Sequence, residues 1–331
     1  MKKEVKYLYN LRVFAIMCVI MLHCMIPYVS NPSYYGSKSY FFNLIVNSIA
    51  RTGVPLFLMI SGALILNDEL TNDIKSFYKK RLSKLLIPLF SWNVIYFLFY
   101  VKLGKNELDF MSFINEVLNN GTAYHLWYVY NLLSIYLLAP YLKKIVDNSS
   151  IKQLVFLMVL MGFCTTIRPA LNNMVSPVYI YLFEPICNGY FLFFLAGYVL
   201  DKMELSKKAL WIFLVLGAIG IGISLWGNHM NSSINLINFK HNGGYDISSL
   251  LLSMAMFILF RSKISFGNGF IKSISKLSYG MYFIHVAIID IIFEYFMIDS
   301  SPIVSEIYLF VISLVVSYGG SLLIRKAKFL N

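Results

Sequence analysis

The amino-acid sequence predicts an all-α fold, a polytopic transmembrane bundle of about ten helices with both termini cytoplasmic. Three observations predict it. Of 331 residues, 58% are hydrophobic and only 13% charged, where a soluble domain carries about 25% charged residues. The apolar residues gather into runs of about 20, the length that crosses about 30 Å of hydrocarbon. The Lys and Arg residues crowd onto one set of connecting segments. No interval between the runs can hold a soluble domain, so residues 1–331 are expected to form a single integral membrane domain.

The spans fall near 8–27, 41–66, 82–102, 126–144, 152–169, 184–201, 208–226, 246–261, 277–297 and 303–324. An even number puts both ends on one side. With the N-terminus inside, cytoplasmic segments hold 21 of the 28 Lys and Arg residues, outer segments hold five, and Arg12 and Arg51 lie within spans. The net charge of +12 is then a topology and anionic-leaflet signature, not a sign of nucleic-acid binding.

The first span reads YLYNLRVFAIMCVIMLHCMIPY over residues 7–28. Lys2, Lys3 and Lys6 precede it as they would a secretory signal, but its apolar core is long and lacks a small-residue cleavage site, so it is read as an uncleaved helix. Arg12 and His23 are costly there, and such residues usually face a bundle interior or a wet cavity. Eleven positions make about three turns plus about 20°, which puts both on one stripe, about 16 Å apart along the axis. The alternative is two buried structural sites bridged by polar groups of other helices. Cys18, Cys24, Cys164 and Cys187 lie in apolar runs without CxxC spacing, so neither a disulfide frame nor a metal site is expected.

In the second span Arg51 is followed by Gly53 and Pro55, which predicts a kink or opening facing protein or water. An Arg snorkelling to the interface is the blander reading, made awkward by its depth. Next comes TNDIKSFYKKRLSKLLIP. Arg81 and Lys84 share one helical face there, and serve equally as a topology anchor or as a receiver of phosphates. A polar outer loop from Gly104 leads to His125-Leu-Trp-Tyr-Val-Tyr-Asn131, where the aromatics fit an interfacial belt or a sugar platform.

Spans five to eight say less. Arg168-Pro169 and Glu184-Pro185 bound an outer loop, as an ion pair or as solvated charges. A second polar loop runs from Gly227 to Asp246 and holds His229 and His241, neither with metal-ligand company. In span nine His285 follows Tyr282 by three positions on one face, and Asp290 and Glu294 sit near the outer end. No inverted repeat of the transporter kind is evident.

Taken together, Arg12-x10-His23, GVPLFLMISG (53–62), KKRLSKLLIP (79–88), HLWYVY (125–130) and SYGMYFIH (278–285) resemble the signatures of acyltransferase family 3. These are integral membrane enzymes that acylate sugars and cell-envelope glycans, and the likeness covers nearly the whole chain. Many relatives have Arg-x-x-Arg where this chain has Arg81 and Lys84; lysine keeps the charge and loses the bidentate fork. The C-terminal SGNH-type hydrolase domain of some relatives is not expected.

The resemblance implies transfer of an acyl group, acetyl before succinyl, from cytoplasmic acyl-coenzyme A to a hydroxyl of an envelope or exported polysaccharide. The donor is a substrate, with no bound cofactor expected. Partners would be acyl-coenzyme A, a carbohydrate or lipid-linked glycan, membrane lipids and a second copy of the chain. The Lys-, Asn- and Ile-rich composition suggests a bacterium of low genomic GC, and the expected location is its plasma membrane. In this reading His23 is the base and Arg12 holds the anionic end of the donor. Arg51 stabilises the oxyanion, while Arg81 and Lys84 receive nucleotide phosphates. His125, Trp127 and Tyr128 face the acceptor, with Tyr282 and His285 on the far wall. Two rivals remain: a transporter or flippase for a lipid-linked glycan, and a membrane sensor or scaffold that leaves the buried charges without a task.

Overall fold

A computed structural model describes residues 6–29, 31–119, 121–167, 189–232, 246–264, 267–298, 300–327 and 329–330. Arg168, Glu184, Cys187 and His241 lie outside them. Among the described residues every regular element is helical. In chain order they are α1 (Lys6–Val29), α2 (Lys38–Ala50), α3 (Gly53–Ile65), α4 (Ile74–Arg81), α5 (Ser83–Lys102), α6 (Phe110–Leu118) and α7 (Trp127–Asp147). Then follow α8 (Ile151–Gly162), α9 (Gly189–Lys202), α10 (Lys207–Met230), α11 (Ile247–Lys263), α12 (Gly269–Tyr295) and α13 (Pro302–Ile324). Many begin where a short polar side chain takes up a free backbone N–H: Ser37, Asp73, Asp109, Ser206, Asp246 and Asn268 each do so.

Six of these stretches are long and apolar enough to cross a membrane: Lys6–Tyr28, Lys38–Ile65, Ile74–Lys102, Lys207–Met230, Gly269–Tyr295 and Pro302–Ile324. Ten spans were expected and six stretches meet this standard; the described parts of the other four expected spans overlap helices that do not. The 17 residues of α11 rise only about 26 Å. α7 has the length, but Trp127, Tyr128, Tyr130, Tyr136 and Tyr141 dilute its apolar run. The helical part of α8 is short and runs into a π-turn over Phe163–Ile167, and the expected start of α9 lies outside the described residues. α10 also runs on to Met230, so His229, expected in a loop, is helical; its Nδ1 sits 3.0 Å from the Tyr40 hydroxyl.

The second span breaks where expected. Pro55 has no N–H to offer the carbonyl of Arg51, four residues back, so α2 stops and α3 starts again at Gly53. Thr52 covers part of the gap by donating to the Ile49 carbonyl at 2.7 Å.

Helix α1 is the hub. It packs on α2, α3, α11, α12 and α13, with Leu11, Ala15, Ile16, Ile20, Cys24 and Met25 fully enclosed. Beside it, α3 and α9 meet backbone to backbone. A Cβ on Gly62 would lie 1.7 Å from the Phe194 carbonyl oxygen, and one on Gly197 would lie 1.9 Å from that of Met59. Small residues allow this close approach, which supplies the contact that helices in lipid must gain without a hydrophobic drive. The outer faces of α10 and α13 expose Trp211, Val215, Trp226, Val311 and Val315, the pattern of lipid-facing helices.

One buried acid escaped notice in the sequence. Glu306 of α13 is fully enclosed and accepts from Nδ2 of Asn43 of α2 at 2.8 Å. Its other oxygen, and Oδ1 of Asn43, have no partner among the described residues.

Candidate active site

Two adjoining chambers run along the polar stripe of α1. The larger, about 450 Å³, is lined by Arg12 together with Arg81, Lys84 and Lys276. No Asp or Glu lines it. Tyr136 and Tyr279 also line it. The smaller chamber, about 250 Å³, is lined by His23, Arg51, His125 and Trp127, again without an acid. Arg12 and His23 thus open into different chambers from one helix, as their spacing requires.

Buried cations without counter-ions are costly unless water or a ligand supplies negative charge. Among the described residues the ion pairs are Arg81–Asp68 and Lys143–Asp147; neither Arg12 nor Arg51 makes one, although the Asp246 carboxylate lies near enough to Arg51 to act on its charge. Arg51 is held by its own helix, Nε donating to Oδ1 of Asn47 at 3.0 Å. Arg81 is held from outside: its guanidinium donates to Asp68 at 2.8 Å. Arg81 closes α4 and Lys84 lies in the first turn of α5, so the pair flanks a junction at Leu82 where a single helical face was expected. Both side chains still reach the larger chamber.

At the inner end of the smaller chamber three imidazoles meet. The His23 ring lies 5.1 Å from that of His285 and 6.4 Å from that of His125, and His125 lies 5.3 Å from His285. They come from α1, from the short 3-10 turn before α7, and from α12. No group of three or more His, Cys, Asp or Glu able to hold a metal ion is found among the described residues. His285 is fully buried behind the other two and lines neither chamber. Its Nδ1 sits 2.6 Å from the Tyr282 carbonyl oxygen. Tyr282 in turn donates its hydroxyl to the His125 carbonyl oxygen. Trp127 packs on Tyr190 at 5.2 Å, and Tyr128 faces Tyr282 edge-on at 5.5 Å.

The structure therefore gathers Arg12, Arg81 and Lys84 around one chamber and His23, Arg51, His125 and Trp127 around the next. Tyr128 and Tyr282 touch both. Lys276 and Asp68 were missed as site residues. Lys276 read as one more cytoplasmic charge, and the grip of Asp68 on Arg81 spans 13 residues, across a 3-10 turn and the whole of α4.

A family model described as an acyltransferase domain matches residues 5–326. No curated protein and no solved structure matches the chain. The family match covers nearly the whole sequence, and the chain belongs to that family.

Proposed function

We propose that this membrane acyltransferase moves an acyl group, acetyl in the first instance, from cytoplasmic acyl-coenzyme A to a hydroxyl of an envelope or exported carbohydrate. One observation carries the reading: an acid-free chamber with four cationic side chains adjoins, at Tyr128 and Tyr282, a second chamber lined by His23 and His125. Several cations facing one space suit a ligand with several phosphates. Coenzyme A is such a ligand, and its long flexible arm suits delivery over the distance between Arg12 and His23. The excess of Lys and Arg on segments sharing the side of the N-terminus supports a cytoplasmic position for the cationic chamber.

The chemistry then divides among named groups. The nucleotide phosphates rest on Arg81, Lys84 and Lys276, with Arg12 deeper. The acceptor hydroxyl gives its proton to His23, and its oxygen attacks the thioester carbonyl carbon. The charge that develops on the carbonyl oxygen faces Arg51. The C–S bond breaks, and coenzyme A leaves with the proton that His23 returns to sulfur. His125 and Trp127 face the acceptor.

The test compares envelope polysaccharide from cells with and without the protein by mass spectrometry. An ester present only with the protein, and reproduced by purified protein supplied with acyl-coenzyme A, supports transfer. Glycan export without thioester consumption or ester formation would instead identify a transporter.

A further inference from the structure

The two chambers meet at a pair of rings. Tyr128, in the first turn of α7, and Tyr282, in mid-α12, each line both spaces. Their ring centroids are 5.5 Å apart with planes at 66°, and both side chains are buried. The two sides of the passage are not equally free. Tyr282 is tied by its hydroxyl to the His125 backbone and packs edge-on to Phe283 at 5.6 Å. Tyr128 leans on Phe57, a half-buried ring 6.3 Å away that lines only the larger chamber.

If the nucleotide stays on the cations, the thioester must pass between these rings to come within reach of His23. The acyl group must then share the smaller chamber with the acceptor hydroxyl. About 250 Å³ falls below the roughly 300–1,000 Å³ of ordinary small-molecule pockets. Space that must admit both a sugar hydroxyl and an acyl group leaves little for a long hydrocarbon tail. Overfilling a packed aromatic pair costs energy in the same way as overpacking a core.

We propose that Tyr128 and Tyr282 are the acyl-length selector of the reaction, passing acetyl and propionyl groups and stopping hexanoyl and longer ones. The inference rests on the acyl-transfer reading above. Tyr282 is the fixed side of the selector and Tyr128 the yielding side.

The experiment uses the full chain, purified and reconstituted in vesicles, with acetyl-, butyryl- and hexanoyl-coenzyme A as donors and a saccharide acceptor. Each methylene that a pocket refuses is worth about 1–3 kcal/mol, or roughly 10- to 200-fold. Wild-type protein should therefore favour acetyl over hexanoyl by at least about a hundredfold in kcat/KM. Tyr128→Phe, which keeps the ring, should hold that ratio. Tyr128→Ala should cut it to about tenfold or less, chiefly by raising the hexanoyl rate. Tyr128→Leu, which keeps apolar bulk at the start of α7, serves in place of the alanine variant if the latter does not fold. Equal use of acetyl and hexanoyl by wild type, or an unchanged ratio in the folded Ala or Leu variant, overturns the selector and leaves acyl transfer standing. No turnover from any thioester overturns both.

Discussion

The proton of His285 has only one place to be with respect to Tyr282. The carbonyl oxygen 2.6 Å from Nδ1 can accept and cannot donate, so Nδ1 carries the hydrogen. Nε2 is then a bare acceptor, buried and without a partner among the described residues. It belongs to a ring 5.1 Å from that of His23, whose own Nδ1 is likewise buried and unpartnered.

Under the proposed acyl transfer, this arrangement suits His285 to a supporting part, accepting from His23 once that residue has taken a proton. His285→Ala is expected to lower kcat about 10- to 100-fold, with the KM for acyl-coenzyme A little changed, the loss of one charge-assisted hydrogen bond of roughly 1.5–3 kcal/mol. Added imidazole should restore part of the rate. A rise in acceptor KM at constant kcat would return His285 to the acceptor wall.

His23→Ala should remove the base itself. Transfer is expected to fall by about 10²- to 10⁴-fold, the usual share of general base catalysis, while yield and monodispersity in detergent stay at wild-type levels. Steady-state transfer by purified protein measures it, and near wild-type turnover would exclude His23 as base.

Arg81 should act on donor binding. Arg81→Ala is expected to raise the KM for acyl-coenzyme A by about 10- to 100-fold, equivalent to a charged hydrogen bond of roughly 1.5–3 kcal/mol, with the acceptor KM unmoved. Asp68→Asn, which weakens the tether measured at 2.8 Å, should change the same constant in a smaller, salt-sensitive way. Initial rates with donor and acceptor varied separately distinguish these outcomes.

The pairing of Glu306 with Asn43 leaves two acceptor oxygens unsatisfied. Glu306→Gln supplies an amide N–H for Oδ1 of Asn43 while keeping an oxygen for its Nδ2, so thermal stability should hold or rise. Glu306→Leu strands Asn43 and should cost about 1–3 kcal/mol. Unfolding in detergent, followed by fluorescence, ranks the three proteins.

Gly62 should tolerate nothing larger. Gly62→Ala places a methyl 1.7 Å from the Phe194 carbonyl oxygen, against backbone that cannot swing aside as a side chain would. The cost should exceed the usual 1–3 kcal/mol of an overpacked core. Size-exclusion profiles should show a sharply lower folded fraction.

Much of the candidate site was legible because hydrocarbon makes charge conspicuous. Arg12, His23 and Arg51 stood out in apolar runs, and helical spacing put the first two on one stripe. Pro55 announced the break after Arg51 by its missing N–H. Lys276 was hidden for the opposite reason: beside a membrane surface one more lysine carries no signal. The histidine cluster was hidden because His23, His125 and His285 come from segments far apart in sequence, and periodicity within a helix does not report contacts between helices. Glu306 did carry a signal, a lone acid within an apolar run, and went unread. The extent of the spans was read less well than their positions, since the aromatic residues of α7 belong to the site as well as to the bundle.

The seam between Gly62 and Gly197 sets a timetable for biogenesis. At about 5–20 residues per second, α9 emerges from the ribosome on the order of ten seconds after α3. Throughout that interval the groove of α3 faces lipid or the insertion machinery instead of its mate.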